Sequence, residues 1–494
     1  MKIGWVGVVV IASAIGLAAA AQVAPEKVAP TPPMGWNSWD SYGLTITEEQ
    51  FRASTKLMVE KLKPAGYVYD VIDEGWFFFN PEDRPKPETL RYAVDAYGRY
   101  VPVPARFPSA KGTGMTEAPP PAPETPVAGA PKLAATIENT SFKPLADWVH
   151  AQGLKFGIHI VRGIPRASVE RNLPIANSSF HAQDAADTND ACPWDPTNWG
   201  VKDNAAGQAW YDSIISQYAG WGVDLLKVDC IANNPYKIDE IRMIRRAIDK
   251  VAAKTGRPMV LSLSPGPTAP AHAYEVQQLA NMWRISNDFW DVWADNPTDT
   301  FPQGLHGQFA RTATWAPYAG PGHWPDADML PLGHLGPVPG WGKPRDSRLT
   351  ATEQQTVMTL WSMARSPLII GANLTEMNDA TLKLLTNADV LAIDQTATRS
   401  GEVLHAEGVA RSGNVVVWTA DLPEGFPGGY TQALALFNTG DQLVTISTSF
   451  EAYRIDSATY HVRDAWAERD LGKHTSIENL SLDPHASTLW LLKK

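Results

Sequence analysis

The sequence predicts a (β/α)8 TIM barrel followed by a C-terminal antiparallel β-sandwich. Apolar, strand-like runs alternate with amphipathic helical segments from Pro32 to about Arg399, and the alternation provides eight strands. Beyond Arg399 the pattern changes to short β-rich runs separated by turn residues. The length of 494 residues suits a large barrel and a second domain.

The barrel segments follow one rule, in which a helix ends at a glycine and an apolar strand follows. The first helix begins at Thr47 with Gln50 three residues later, which is a capping-box pattern, and it ends near Gly66. The predicted strands are Met34–Trp39, Tyr67–Ile72, Leu154–Ile160, Val223–Cys230, Met259–Ser264, Asn281–Ser286, a short run near Trp324, and Pro367–Ile370. Apolar strands between helices indicate parallel pairing. An open doubly wound sheet is the alternative, but no glycine-rich phosphate turn follows the first strand.

Two segments interrupt the barrel pattern of residues 22–398. Residues 109–140 are rich in Pro, Ala, Gly and Thr and are predicted to be an extended loop insertion. Residues 162–203 leave the carboxyl end of the third strand, where barrels build their sites. In residues 399–494 the short β-rich runs include Val415–Thr419, Ala433–Phe437, Val444–Thr448, Thr459–Arg463 and Thr488–Leu492.

Residues 1–21 have the pattern of a signal peptide. Lys2 supplies the charge, Val6 to Leu17 is apolar, and the small residues up to Ala21 suit cleavage close to Gln22. An uncleaved anchor is the alternative, because the apolar run approaches the length of a spanning helix. We expect an exported protein, periplasmic or secreted, that is free of the membrane after cleavage.

Composition and cysteine usage restrict the function. With 53 acidic and 42 basic residues the net charge is −11, which argues against a nucleic-acid partner. Cys192 and Cys230 are the two cysteines, and in an exported chain we expect them to form one disulfide. Their spacing fits neither a zinc site nor a redox CxxC, and no HExxH occurs among the 11 His, so no metal or cofactor is predicted.

Acidic residues follow several of the predicted strands, and in a barrel such residues converge on one pocket. In the strand that ends at Asp229, Lys227 and Asp229 face one side while Leu226 and Val228 face the other. A buried cation beside a carboxylate is expensive without a function, although a structural ion pair is the alternative. The candidate acids are Asp73, Glu74, Asp229, Asp288, Asp326 and Asp328.

Asp288 is the second catalytic candidate. A retaining glycosidase needs two carboxyl groups about 5–5.5 Å apart, one nucleophilic and one protonated. Two strand ends across a barrel can supply that separation, and we expect neighbouring carboxylates to keep Asp288 protonated.

Five motifs occur in an order that resembles glycoside hydrolase family 27 (clan D), the family of α-galactosidases and α-N-acetylgalactosaminidases. They extend from Pro32 to Gln395 and are Met34-Gly35-Trp36-Asn37-Ser38-Trp39, Ile72-Asp73-Glu74-Gly75-Trp76, Lys227-Val228-Asp229-Cys230, Trp283-Arg284 with Asp288, and Asp326-Ala327-Asp328-Met329-Leu330. The resemblance implies that Asp229 is the nucleophile and Asp288 the acid/base, and that the disulfide braces the nucleophile strand. It also implies sugar contacts at Trp39, Asp73, Lys227, Arg284 and Asp328.

Three departures from the family pattern concern the sugar. Glu74 replaces the usual second Asp, and its extra methylene would crowd C6 of galactose and favour β-L-arabinopyranose, unless a small backbone shift still admits galactose. His159 stands where a Tyr is usual. Ser264 resembles the N-acetylgalactosaminidase pattern, because a small residue leaves room for a 2-acetamido group.

The first functional hypothesis is retaining hydrolysis of terminal α-D-galactosyl residues of oligosaccharides or polysaccharides, through a covalent glycosyl-enzyme intermediate. β-L-Arabinopyranosidase and α-N-acetylgalactosaminidase activity are the enzymatic alternatives. The non-enzymatic alternative is a galactose-binding protein without turnover. Such a protein would not need both catalytic carboxylates and Lys227, which this sequence retains. A metal-dependent hydrolase ranks last, and the oligomeric state is left open.

Overall fold

The computed structural model describes residues 28–82, 86–117, 131–298, 300–403 and 414–494. The predicted signal peptide and its cleavage site lie outside the described residues. Within those ranges, no helix combines the length and the apolar character needed to cross a membrane.

Eight parallel strands form the barrel, which confirms the predicted fold class. They are β1 Met34–Asn37, β2 Tyr69–Ile72, β3 Lys155–Val161, β4 Leu225–Asp229, β5 Val260–Leu263, β6 Met282–Arg284, β7 Trp324–Asp326 and β8 Leu368–Ile370. From β1 to β7 each strand pairs with the next in the chain, and β1 also pairs with β8. Leu330, which follows β7, bridges to Ile370 in parallel and so closes the circle.

Helices cover the outside of the barrel. The Thr47–Gln50 capping box is present at the first of them, and Gly66 adopts a left-handed conformation where this helical region ends. The π-helical segment Met58–Leu62 continues the first helix. The helices are α1 Glu48–Leu57, α2 Lys143–Ala151, α3 Ala205–Trp221, α4 Ile238–Thr255, α5 Ala273–Leu279, α6 Leu305–Trp315, α7 Ala351–Ala364, α8 Asp379–Leu385 and α9 Ala388–Thr396, with shorter turns at Trp39–Tyr42, Arg166–Glu170 and Ala182–Ala185.

The interior of the barrel changes from apolar to polar between the amino and carboxyl ends of the strands. An apolar cluster fills the amino-terminal part of the barrel, whereas Leu226 and Val228 pack outward in the core shared with the helices. Side-chain alternation therefore directs Lys227 and Asp229 to the same side as Leu225, as predicted. The interior cluster includes Tyr69, Val71, Leu225, Val260, Met282, Trp324 and Ile369.

Two small sheets lie at the carboxyl ends of β2 and β3. Strands Arg91–Val94, Thr113–Glu117 and Lys132–Glu138 form one, and Ile164–Pro165, Ala186–Ala191 and Asn198–Val201 form the other. The prediction that residues 109–140 are an extended loop is therefore wrong for the two strands within them; residues 118–130 lie outside the described part. The central strand Lys132–Glu138 pairs with Thr113–Glu117 on one side and with Arg91–Val94, outside the segment, on the other.

The C-terminal unit is antiparallel and packs as a sandwich. Six strands form one sheet and two form another, with β-sandwich core residues such as Leu434, Ile446 and Ile477 between them. The opposite face of the large sheet, through Leu489 and Leu491, joins the barrel core. The strands are β9 Thr398–Glu402, β10 Val415–Asp421, β11 Gln432–Asn438, β12 Val444–Ser449, β13 Tyr460–Asp464, β14 Arg469–His474, β15 Ser476–Leu482 and β16 Ser487–Lys493.

Three of these strands, β9, β14 and β15, were not predicted. Strands β9 and β14 form the edges of the six-stranded sheet, and β15 pairs with β12 in the two-stranded one. Most of their side chains are exposed or half-buried, so their sequences lack the apolar alternation that marks the other strands.

Candidate active site

A cavity of about 560 Å³ opens at the carboxyl ends of the barrel strands. This is the end of the barrel at which the loops build binding sites. Nine of the ten site residues predicted from the sequence line it, namely Trp39, Asp73, Glu74, Lys227, Asp229, Ser264, Arg284, Asp288 and Asp328. The strand phase and the order of the motifs therefore predicted nine side chains that share one cavity.

His159, the tenth predicted residue, does not line the cavity. It is buried on β3, and its Nε2 lies 3.2 Å from Asp229 Oδ2. Its Nδ1 has no hydrogen-bond partner among the described residues. The structure thus places His159 behind Asp229, where it supports the carboxylate, and not in the wall that would face a sugar.

Lys227 forms a buried ion pair with Asp73. Its Nζ lies 2.8 Å from Asp73 Oδ2, which also accepts a hydrogen bond from Asn37 Nδ2 at 2.7 Å. Burial alone would raise the pKa of Asp73, but Lys227 lowers it far below its ordinary value. Burial likewise opposes the charge on Lys227, yet Asp73 and Asp229 raise its pKa above the ordinary value. Both groups are therefore charged at neutral pH.

Arg284 joins the second candidate carboxylate to the floor of the cavity. Its Nη2 lies 2.6 Å from Asp328 Oδ2 and 3.2 Å from Asp288 Oδ1. Asp328 is buried, whereas the Asp288 side chain is 40% exposed at the cavity mouth. The charged group that contacts Asp288 is thus a cation, and not the neighbouring carboxylate that we expected to keep it protonated.

Asp229 lies at the end of β4 and is fixed from two sides. Its Oδ1 accepts a hydrogen bond from the backbone N of Cys230, and His159 contacts Oδ2. The disulfide between Cys192 and Cys230 is present, with Cα atoms 5.9 Å apart, as predicted. It ties the long segment after β3 to the residue that follows Asp229.

Trp39 forms one wall of the cavity. The indole is half-buried, and its backbone N donates to Asn37 Oδ1 at 2.9 Å. Gly340 lies directly against the ring, where a Cβ atom would come within 2.4 Å of the indole. The ring is therefore held in one orientation, as a stacking surface for a sugar requires.

Asp195 is a cavity residue that the sequence reasoning missed. It lines the cavity close to Glu74, and its side chain is buried. Burial and then Asp195 raise the pKa of Glu74 well above its ordinary value, and burial also raises the pKa of Asp195. A signal was available, because Asp195 follows Cys192 by three residues and the disulfide brings that segment to Asp229.

Asp40 and Asp326 are the other carboxyl groups that the sequence reasoning did not assign. Asp40 lines the cavity, and burial followed by Asp328 raises its pKa well above the ordinary value. Its Oδ2 has no hydrogen-bond partner among the described residues. Asp326 Oδ1 accepts the backbone N of Asp328, whose φ of +89° is rare for a residue other than glycine. Asp326 thus positions Asp328.

The cavity mouth carries apolar side chains. Trp194 and Phe301 are 46% and 43% exposed there, which is unusual for residues of this size. Pro131, which precedes strand Lys132–Glu138 within the 109–140 insertion, also lines the cavity. The arrangement offers a polar, charged floor for one sugar ring and an apolar rim for the group attached to it.

No group of three His, Cys, Asp or Glu in the described ranges is placed to hold a metal ion. The cavity instead provides paired cations and carboxylates, a fixed indole, and two carboxyl groups, Asp229 and Asp288, near its open side.

Comparisons with known proteins agree with this geometry. Residues 202–396 match the family model described as alpha galactosidase A, and residues 412–492 match the alpha galactosidase C-terminal beta sandwich domain. Alpha-galactosidase 3 of Arabidopsis thaliana is 27% identical over 94% of this chain and 82% of its own length. The alpha-galactosidase of Coffea arabica is 28% identical over 94% and 93%.

Solved structures show the same similarity over the whole described chain. A family 27 β-L-arabinopyranosidase from Geobacillus stearothermophilus is 40% identical, with a TM-score of 0.81, over 95% of this chain and 98% of that one. A Bacillus halodurans protein assigned as an α-N-acetylgalactosaminidase is 36% identical, with a TM-score of 0.72, over 94% and 97%. The chain therefore belongs to glycoside hydrolase family 27 and is a glycosidase.

Proposed function

We propose that the protein is a retaining glycosidase that releases terminal pyranosyl residues of galactose configuration, with β-L-arabinopyranose preferred over α-D-galactose. The observation that carries this preference is the Glu74 carboxyl group in the cavity wall, with the Asp195 carboxyl beside it. The longer Glu side chain occupies space that C6 of a hexose would need, and β-L-arabinopyranose has no C6. The 40% identity with the Geobacillus arabinopyranosidase supports the same choice.

The proposed chemistry uses Asp229 and Asp288. An oxygen of the Asp229 carboxylate forms a bond to the anomeric carbon while the bond to the leaving oxygen breaks, and that oxygen takes the proton of Asp288. Water then attacks the anomeric carbon, gives its proton to Asp288, and frees Asp229. The half-exposed position of Asp288 at the mouth suits its contact with the leaving group and then with water.

The neighbouring cations and the indole have supporting roles in this proposal. Trp39 stacks on the sugar ring, and Lys227, Arg284, Asp73 and Asp328 bind its hydroxyl groups. His159 contacts Asp229 Oδ2 and orients the nucleophile. Because these groups are already hydrogen-bonded to one another, they need little rearrangement when a sugar binds.

Two other substrates have specific support. Release of α-D-galactose, the first hypothesis from the sequence, agrees with the curated relatives of 25–28% identity. Release of N-acetylgalactosamine is supported by the small Ser264 in the cavity wall and by the Bacillus halodurans neighbour.

We also propose that the protein meets its substrate, the end of an oligosaccharide or polysaccharide, outside the cytoplasm.

The test compares p-nitrophenyl β-L-arabinopyranoside, α-D-galactopyranoside and N-acetyl-α-D-galactosaminide. We expect the highest kcat/KM on the first, and NMR of the early reaction should show that the sugar is released with retained configuration. Asp229→Asn and Asp288→Asn should each lower kcat/KM by about 10⁴-fold or more on this chemistry, while Asp203→Asn, an exposed carboxylate, should not. Inverted product, or near-full activity in both variants, would overturn the mechanism.

A further inference from the structure

The residue that follows the proposed nucleophile has an unusual backbone conformation. Cys230 has a φ of +60°, in the left-handed region that residues with a side chain rarely adopt. Its backbone N donates to Asp229 Oδ1, so this conformation aims a peptide N–H at the carboxylate. The direction of that hydrogen bond therefore depends on the orientation of the peptide groups on either side of Cys230.

Arg162, directly after β3, contacts both of these peptide groups. Its backbone N donates to the carbonyl oxygen of Asp229 at 3.1 Å, and its side-chain Nε donates to the carbonyl oxygen of Cys230 at 2.6 Å. The side chain is 1% exposed and is not among the residues that line the cavity. Arg162 thus contacts the backbone around the proposed nucleophile without facing the space that a sugar would occupy.

Two acidic side chains hold the guanidinium group against the Cys230 carbonyl. Nη1 lies 2.8 Å from Glu240 Oε1 on α4 and 2.9 Å from Asp190 Oδ2, and Nη2 lies 3.0 Å from Asp190 Oδ1. Lys237 Nζ also pairs with Asp190, at 2.7 Å. A planar guanidinium suits this position, because it donates in several directions at fixed angles, whereas an ammonium group is a compact charge without that geometry.

The disulfide and Arg162 restrain the same turn in different ways. The disulfide joins the Cys230 side chain to Cys192, whereas Arg162 binds the Cys230 carbonyl oxygen and reaches Asp190, two residues before Cys192. The covalent bond limits where Cys230 lies, and the directional hydrogen bond at its carbonyl fixes the plane of the peptide group. The orientation of the turn therefore depends on Arg162 as well as on the disulfide.

We infer that Arg162 is a positioning residue for the proposed nucleophile. Through the carbonyl oxygen of Cys230 it keeps this turn oriented so that the Cys230 N–H points at Asp229 Oδ1, and the carboxylate stays directed at the anomeric carbon. The inference rests on the proposed function, because it takes Asp229 to be the nucleophile. A group that only orients the nucleophile contributes to the chemical step and not to the binding of the sugar.

The experiment compares Arg162→Lys and Arg162→Gln with the wild type on the p-nitrophenyl glycoside that the wild type hydrolyses best, which we expect to be the β-L-arabinopyranoside. In both variants kcat should fall by about 10²-fold, because a displacement of about 1 Å has an effect of that size. KM should change by less than about threefold. The Lys variant keeps the positive charge beside Asp190 and Glu240, so it tests the Cys230 contact even if the Gln variant is unstable.

Lys237→Gln is the matched control. It also removes a positive charge beside Asp190 but leaves the contact between Arg162 and the Cys230 carbonyl in place. Its kcat should stay within about threefold of that of the wild type.

Calorimetry with the released sugar, expected to be L-arabinose, separates positioning from a general loosening of the cavity. The affinity of Arg162→Lys for this sugar should stay within about twofold of the wild-type value, whereas a loosened cavity would lose affinity and kcat together. Such a parallel loss would overturn the inference, and so would a kcat in both Arg162 variants that matches that of Lys237→Gln. Near-full activity of Asp229→Asn would instead overturn the proposed function.

Discussion

The Lys227–Asp73 wall and the Glu74–Asp195 wall of the cavity differ in how they hold buried carboxyl groups. Asp73 is paired with Lys227, receives a hydrogen bond from Asn37, and is charged at neutral pH. Glu74 and Asp195 have no cation in contact, and burial raises the pKa of both. The first arrangement pairs its buried carboxylate with a cation, whereas the second buries the Asp195 carboxyl with a hydrogen-bond partner for Oδ1 alone. The raised pKa values indicate that burial favours the neutral form of Glu74 and Asp195, whereas Lys227 keeps Asp73 charged.

The largest effect is expected from removing the ion pair of the Lys227–Asp73 wall. Lys227→Met leaves the Asp73 carboxylate buried without its cation, which should lower the free energy of unfolding by about 3–5 kcal/mol. It also removes a charge near Asp229, so kcat/KM should fall by about 10²–10³-fold. Urea unfolding and steady-state kinetics measure the two effects.

Lys250→Met is the control, because that lysine forms an exposed ion pair with Asp212. Its effect on stability should stay below about 1 kcal/mol. If Lys227→Met were no more destabilising than Lys250→Met, the buried pair would not be the stabilising element described above.

The next largest effect is expected from removing the disulfide that holds the Glu74–Asp195 wall. Replacing Cys192 and Cys230 with Ser together should lower the free energy of unfolding by about 2–4 kcal/mol, because the unfolded chain gains freedom. KM should rise as well, since segment 192–198 loses its covalent anchor and keeps only its hydrogen bonds to the barrel. Reducing agent should produce the same changes in the wild type and none in the double variant. An unchanged KM would show that the noncovalent contacts of Thr197 and Asn198 are enough to position the segment.

A third prediction concerns Asp70, an unpaired carboxyl outside the cavity. Burial raises its pKa to about 7 from 3.8, and Thr55 Oγ1 lies 2.7 Å from Oδ2. That hydroxyl is also 2.8 Å from the carbonyl oxygen of Phe51, so a protonated Asp70 can donate to it. The folded state binds the proton more tightly than the unfolded state, so stability is highest below pH 4, falls between pH 4 and 7, and is constant above.

Asp70→Asn should remove that slope. The variant should gain about 1–2 kcal/mol relative to the wild type at pH 8 and little at pH 4, which thermal unfolding across this pH range would measure. A wild-type stability that rises between pH 4 and 7 while the variant stays flat would contradict the assignment.

The smallest effect is expected at Asp40. Its raised pKa and unpartnered Oδ2 indicate a neutral carboxyl, and Asn has the same shape. Asp40→Asn should therefore leave the free energy of unfolding within about 1 kcal/mol of the wild type at pH 7, whereas Asp73→Asn, which removes the partner of Lys227, should lower it by about 3–5 kcal/mol. Equal losses in the two variants would remove the distinction between paired and unpaired carboxyls.

The fold could be predicted where local periodicity coincides with tertiary burial. All eight barrel strands were expected, because most of their residues are buried and each therefore contains a short, mainly apolar run. Strands Thr113–Glu117 and Lys132–Glu138 were not predicted. They pair with each other, and Lys132–Glu138 also pairs with Arg91–Val94, but neither strand shows this pairing in its own sequence pattern. Edge strands β9 and β14 were not predicted either, because most of their side chains are exposed or half-buried and their sequences lack apolar alternation.

For the site, the sequence by itself determined which strand ends carry carboxylates and cations, since alternation along β4 fixes Lys227 and Asp229 on one side. Only the tertiary structure decided that Lys227 pairs with Asp73, that His159 lies behind Asp229, and that Asp195 joins Glu74 in one wall. The paired residues are far apart in the sequence: His159 and Asp229 by 70 positions, and Lys227 and Asp73 by 154. Glu74 and Asp195 are about 120 positions apart, on a barrel strand end and on the disulfide-bonded segment. A periodic pattern reports which face of its own element is buried, and it carries no information about the partner on another element.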